Sequence, residues 1–279
     1  MNPETIKAVS DTVTNAESGG GAGWMMHHIL DGRTLEFEPF GVIHLPELHL
    51  LGYDISITKH VIFIWLAAII LIFTLSLAAK AYKKSLVPKG LTNFFEILVV
   101  FVRDDIAKPT IGQGYEKFLP FLLTMFFFIL VSNFLGLLPY GSTATSNIGV
   151  TSTLAVISFL VIQGGGMIKN GFFGYFKGLI PHGVPIPLIP IMFVIEILGL
   201  FTKPFALAVR LFANMTAGHV VILSLIGLIF ILKTYFVAPV SVGFALFIYL
   251  LEILVALIQA YIFTMLSSLF IGMAVHQDH

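Results

Sequence analysis

Cysteine is absent from the 279 residues, which excludes disulfides, thiolate metal sites and cysteine nucleophiles, and with them any thiol redox role. Charge is scarce as well: Asp, Glu, Lys and Arg together make up 11% of the chain. Hydrophobic residues make up 57%, with 27 Phe and a mean hydropathy of +0.97, well outside the range of soluble globular domains. The composition is that of a polytopic membrane protein. Lys+Arg and Asp+Glu each total 15, so neither sign dominates and no nucleic-acid partner is implied. A G-x-x-x-x-G-K-[ST] phosphate loop is missing; Gly164 to Gly166 sits in apolar sequence without the Lys-Ser/Thr that must follow, so no nucleotide is expected on this chain. No internal repeat is evident. The opening residues lack an apolar stretch of signal-peptide type, so insertion is expected to depend on internal segments.

Residues 1–58 hold eight of the fifteen acids (Glu4, Asp11, Glu17, Asp31, Glu36, Glu38, Glu47, Asp54) and a Gly-rich joint at Ser18 to Gly23. They read as a loosely structured segment outside the membrane. His27 and His28 have no third ligand at a metal-binding spacing and read as a solvated pair.

Spans are expected at about 61–79, 118–138, 148–168, 188–232 and 240–275, with an interfacial amphipathic helix at about 90–105. Lys80, Lys83, Lys84 and Lys89 follow the first span at once, and such clusters stay in the cytoplasm. The acidic segment therefore lies outside and the C-terminus inside. Leu91, Phe94, Phe95, Leu98, Val99 and Val102 recur on one helical face, which suits a helix lying on the membrane surface. The stretch GFFGYFKGLIPHGVPIP reads as a turn-rich cytoplasmic loop.

The last two apolar segments are too long to stand upright. At 1.5 Å per residue the run from Leu188 to Leu232 would reach about 67 Å against a hydrocarbon core of about 30 Å. Either both helices tilt or bend, with Pro204 as a kink, or the longer one hides a hairpin. No Gly/Pro/Asn cluster lies between Phe205 and Leu225 to make that turn, so tilt is the expectation.

Within these segments fall Glu196, Lys203, Arg210, His219 and Glu252, with Asn214 and Gln259 as neutral companions. A charged guanidinium in hydrocarbon costs roughly 2.5 to 17 kcal/mol, and intramembrane charges mark ion paths by default. Glu196, Lys203 and Arg210 are spaced by heptads and share a slowly drifting stripe, which Asn214 joins one turn later. If the two helices are antiparallel, Glu252 reaches the depth of His219, and Gln259 that of Arg210. His219 and Glu252 can both titrate, as a relay requires. Glu196 fits either a cytoplasmic path or a structural pair with Lys203, whose ammonium can also snorkel to the interface. Arg210 has no carboxylate within a turn of its own helix, so its counter-charge is expected from another chain. As an alternative, an arginine at the midplane suits a secondary transporter binding an anionic substrate, although such folds are built on repeats.

LFTKPFALAVRLFANMTAGH, at residues 200–219, together with SNFLGLLP, TSNIGVTSTL and the C-terminal LIQAYIFTMLSSLFI, resembles the a subunit of the membrane sector of bacterial F-type ATP synthases. The resemblance runs from about His27 to the C-terminus. It implies an all-α stator without a catalytic site or cofactor of its own, in the bacterial inner membrane, carrying H⁺ (less readily Na⁺) through two offset half-channels. Its partners would be the c-subunit ring, the b-subunit peripheral stalk and the remaining subunits of the complex. Arg210 matches the essential arginine that meets the ring carboxylate and blocks leakage. Asn214 and Gln259 match its polar neighbours, and Glu196 and Lys203 match positions near the cytoplasmic half-channel. Where many members carry an acid, this chain has His219, and where they carry a histidine it has Glu252, an exchange that preserves the acid–imidazole chemistry.

Overall fold

The computed structural model describes residues 32, 34–37, 41–45, 49–50, 53–54, 56–84, 90–138, 141, 143–178, 185–232 and 236–276. His27, His28 and the Gly-rich joint lie outside the described residues. Among the described residues the membrane domain is all-α, with five helices long and apolar enough to cross a membrane. The segment before it is not featureless. Strands β1 (Thr34–Phe37) and β2 (Gly41–His44) form one antiparallel hairpin, and β3 (His49–Leu50) and β4 (Tyr53–Asp54) form a second. Strands this short carry too little periodicity to be read from sequence.

Helix α1 spans Lys59–Lys84, beyond the expected 61–79, because the flanking lysines continue the helix after the apolar run ends. Trp65, Ile69, Ile72 and Phe73 face outward, as a helix bounded by lipid allows. Helix α2 (Leu91–Val100) runs through a π-helical stretch, Phe101–Ala107, into the short α3 (Lys108–Ile111), so the helical path extends past the expected end near 105. Pro109 accounts for the wider turn. It has no N–H, and its ring crowds the carbonyl four residues back. The Lys108 N–H reaches Arg103 O instead, an i→i−5 bond. Arg103 also hydrogen-bonds Asp104 at 2.7 and 3.0 Å, which lowers the pKa of that carboxyl.

Helices α4 (Leu119–Leu137) and α5 (Ile148–Asn170) lie within two residues of their expected ends. Asn147 caps α5, its side chain accepting from Gly149 N at 2.8 Å. The connector after α5 was expected to be a loop. It contains α6 (Phe172–Gly178), anchored by the buried Tyr175. Helix α7 is continuous over Ile189–Leu232, which rules out a hairpin there, and α8 covers Val237–Val275, three residues earlier than expected. At 44 residues α7 would stretch to about 66 Å, so it must tilt or bend to fit a membrane.

Helix α8 is central, packing on α7, α4 and α5. The main core joins Val102 and Ile106 to Leu122, Met125 and Ile129 of α4, Leu154 and Ile162 of α5, Leu211 of α7 and Phe263 and Ile271 of α8. That core fixes α7 against α8, and their contact carries most of the polar groups singled out by sequence.

Candidate ion path

Three side-chain contacts join α7 and α8 in antiparallel order. The Ser241 hydroxyl donates to the Leu225 carbonyl, Glu252 meets His219, and Asn214 Nδ2 donates to Gln259 Oε1 at 3.2 Å. Glu252 and Gln259 are both buried.

The His219 ring is held on both edges. Its Nε2 lies 3.1 Å from Gly136 O and 3.1 Å from Thr143 Oγ1, so the end of α4 and the turn after it set the ring's direction. Its Nδ1 lies 2.7 Å from Glu252 Oε1 and 3.0 Å from Met215 O. A single N–H cannot serve both, and the alignment favours the carbonyl: neither Glu252 oxygen has an aligned donor. The carboxyl is thus buried at proton-transfer distance from an imidazole while its own hydrogen-bonding capacity is unfilled. Burying a carboxyl without donors is costly, which marks the pair as a functional element rather than as packing.

More polar groups surround the pair. Asn133, fully buried in α4, accepts from Thr145 Oγ1 at 2.6 Å and donates to Ala256 O at 3.3 Å. Tyr249 donates to Leu137 O at 2.8 Å. Ser132 and Thr216 each bury a hydroxyl without a hydrogen-bond partner. The sequence reading passed over Asn133, Thr143 and Thr145, although an amide inside an apolar span was a visible signal.

Arg210 does not meet Gln259, contrary to the expected pairing. From the 219–252 contact to the 214–259 contact, α7 advances five residues and α8 seven, so the helices cross rather than keep register, and Asn214 takes the amide. Arg210 is exposed on the outer side of α7 and, among the described residues, has no hydrogen bond or ion pair. Phe201, Phe205 and Val209 are exposed on the same helix.

Glu196 and Lys203 are not paired with each other. Both line a cavity of about 280 Å³ shared by α5, α6, α7 and α8, with Gln163, Tyr175, Pro204, Phe270 and His276 among its walls. Lys203 Nζ sits 5.2 Å from the centre of the Phe270 ring, a cation–π contact. Leu200 and Pro204 both face this space; proline has no N–H for the Leu200 carbonyl, so the missing backbone hydrogen bond and the cavity coincide. Tyr175 donates to Gln163 Oε1 at 2.6 Å, and burial raises the phenol's pKa, keeping it a neutral donor. Gln163, Tyr175 and His276 escaped the sequence reading because only folding places them beside Glu196. No group of three or more His, Cys, Asp or Glu able to hold a metal ion occurs among the described residues.

Residues 61–272 match the model of the family described as "ATP synthase A chain". The "ATP synthase subunit a" of Chloroherpeton thalassium is 58% identical over 258 residues, covering 91% of this chain and 77% of that protein. "ATP synthase subunit a 2" of Chlorobaculum tepidum is 60% identical over 259 residues (91% and 73%), and "ATP synthase subunit a" of an Anaeromyxobacter species is 46% identical over 291 (91% and 71%). With five membrane-length helices, intramembrane charges on the last two and kinship over most of its length, the chain belongs to the ATP synthase A chain family.

Proposed function

We propose that this chain is the ion-conducting stator of a bacterial F-type ATP synthase, a multi-pass inner-membrane protein with its N-terminal segment outside and its C-terminus in the cytoplasm. The observation that carries this reading is Arg210: a permanent cation exposed midway along a membrane-length helix, with no partner among the described residues. A charge in that position needs a counter-charge from another chain. A carboxylate on a rotating ring of c subunits, moving past the outer faces of α7 and α8, supplies it intermittently. The b-subunit stalk holds the chain against the torque, and the transported ion is H⁺, for which His219 and Glu252 are suited; Na⁺ would need several oxygen ligands.

In this mechanism protons reach the His219–Glu252 pair from outside, past Thr143 and the Asn133–Thr145 contact. The carboxyl takes a proton from the imidazole across 2.7 Å and hands it to water on the way to the ring, with the hydrogen-bonded amides of Gln259 and Asn214 orienting that path. After a turn of the ring the proton leaves through the cavity at Glu196 and Lys203. Arg210 separates the two halves. A unit positive charge repels a proton 4 Å away by about 4 kcal/mol at an effective dielectric of about 20. That exceeds the roughly 2.3 kcal/mol released per charge over 100 mV, so the barrier outweighs the drive for direct leakage. The chain itself performs no bond-breaking chemistry in this scheme and holds no cofactor. Binding of an anionic substrate is less well supported, since Arg210 is not among the residues lining the cavity.

The test is Arg210→Ala in the reconstituted complex. ATP-driven proton pumping is expected to disappear while passive proton leak rises. Pumping that survives the substitution refutes the stator assignment.

A further inference from the structure

His276, the residue after α8, joins three separate parts of the chain. Its Nδ1 lies 3.0 Å from Lys169 Nζ at the end of α5, and its Nε2 lies 3.2 Å from the Gln113 carbonyl oxygen beyond α3. The chemistry of these partners fixes the tautomer. An ammonium only donates, so Nδ1 is the acceptor; a carbonyl only accepts, so Nε2 carries the hydrogen. The ring is therefore neutral, with one nitrogen ready to take a proton and the other ready to give one away.

Its location gives that arrangement a use. His276 is exposed on one side and lines the cavity on the other, together with Glu196, Lys203, Gln163 and Tyr175. Of these, Glu196 and His276 are the carboxyl and the imidazole, the side-chain types that serve as proton carriers, whereas the Tyr175 hydroxyl is engaged as a donor to Gln163. The Asn170 amide donates to Ala274 O at 3.0 Å, and Gly166 leaves room for the Tyr175 ring, so the end of α8 is seated firmly against α5 and α6. The imidazole thus stands at a fixed place in the cavity wall.

We propose that His276 is the relay residue at the cytoplasmic mouth of the cavity, passing protons between Glu196 and bulk water; this rests on the reading of the cavity as one half of the ion path. In the outward step a proton from the cavity bonds to Nδ1 as Lys169 swings aside. The Nε2–H bond then breaks and its proton passes to cytoplasmic water. No electrons change hands; the hydrogen now sits on Nδ1, and the ring regains its starting tautomer when water takes that proton from Nδ1 and returns one to Nε2, after which Lys169 re-forms its bond. Lys169 is a positioning residue that keeps Nδ1 unprotonated between transfers.

The experiment uses the intact complex in everted membrane vesicles, with ATP-driven proton uptake normalised to assembled complex. His276→Gln retains a group that accepts from Lys169 and one that donates to Gln113, yet it cannot carry a proton. His276→Ala lacks all three capacities. Both are expected to slow uptake about tenfold, less than the 10²–10⁴ typical of a buried proton-transfer group because water also reaches the mouth. Millimolar imidazole is expected to restore the alanine variant. Uptake by His276→Gln at the parental rate means the histidine is only a clamp and overturns the proposal, as does failure of imidazole to rescue His276→Ala. Glu196→Gln separates the two levels: if it is slow while His276→Gln is fast, the relay alone falls, whereas if Glu196→Gln runs at the parental rate, the cavity is not on the path and both readings fall.

Discussion

Gly218→Ala separates activity from stability at the His219–Glu252 pair. A Cβ on residue 218 would lie 2.7 Å from Glu252 Oε1, 2.9 Å from its Cδ and 3.3 Å from its Cγ. Carbon atoms rest at about 3.5 Å or more, so the carboxyl must withdraw by about 0.6 Å. The group in the way is the end of a side chain and can move without disturbing α8, which puts the packing cost at the low end of the roughly 1–3 kcal/mol range for overfilled sites. Replacing glycine by alanine inside a helix contributes about 1 kcal/mol in the opposite direction. The two terms nearly cancel, and the complex is expected to assemble normally. The relay suffers instead. Its 2.7 Å contact opens to about 3.3 Å, beyond easy proton sharing. A misplacement of about 1 Å costs reactions roughly a hundredfold, so about a tenfold loss of proton pumping is expected. The assay is ATP-driven quenching of a pH-sensitive dye in vesicles, with complex content measured by immunoblot. Parental pumping at parental content would refute the claim that this contact carries protons.

Gly272→Ala should behave in the opposite way. Its Cβ would run into the Thr110 carbonyl oxygen and lie 3.3 Å from Ile111 Cα, both backbone atoms that cannot swing aside. The 2.5 Å hydroxyl contact between Thr110 and Ser268 would separate too. Loss of assembled protein is expected, read as a drop in membrane content rather than in activity per complex. Thr145→Val leaves the Asn133 side-chain oxygen buried without its 2.6 Å donor, a cost of about 1–3 kcal/mol that should lower the thermal midpoint of the detergent-solubilised complex. An unchanged midpoint would mean that another donor takes over.

The sequence alone was enough to specify a membrane protein, five spans and the residues that do not belong in hydrocarbon, because the cost of placing charge in lipid depends on residue type and segment length rather than on packing. Antiparallel depth-matching also brought His219 to Glu252, since both helices rise by the same amount per residue. Register, crossing and reach were decided by tertiary packing. The crossing of α7 and α8 gives Gln259 to Asn214 and leaves Arg210 facing outward, and no periodicity in one helix encodes the angle at which it meets another. Glu196 and Lys203, readable as an ion pair from their heptad spacing, instead share a cavity with side chains from α5, α6 and the C-terminal end. Gln163, Tyr175 and His276 lie far apart along the chain, and only the seating of α8 against α5 and α6 turns them into one wall. The identity of the polar residues is therefore a property of the chain, but which of them touch is a property of the fold, because contacts between helices depend on the sum of many apolar side chains and not on the polar residues themselves.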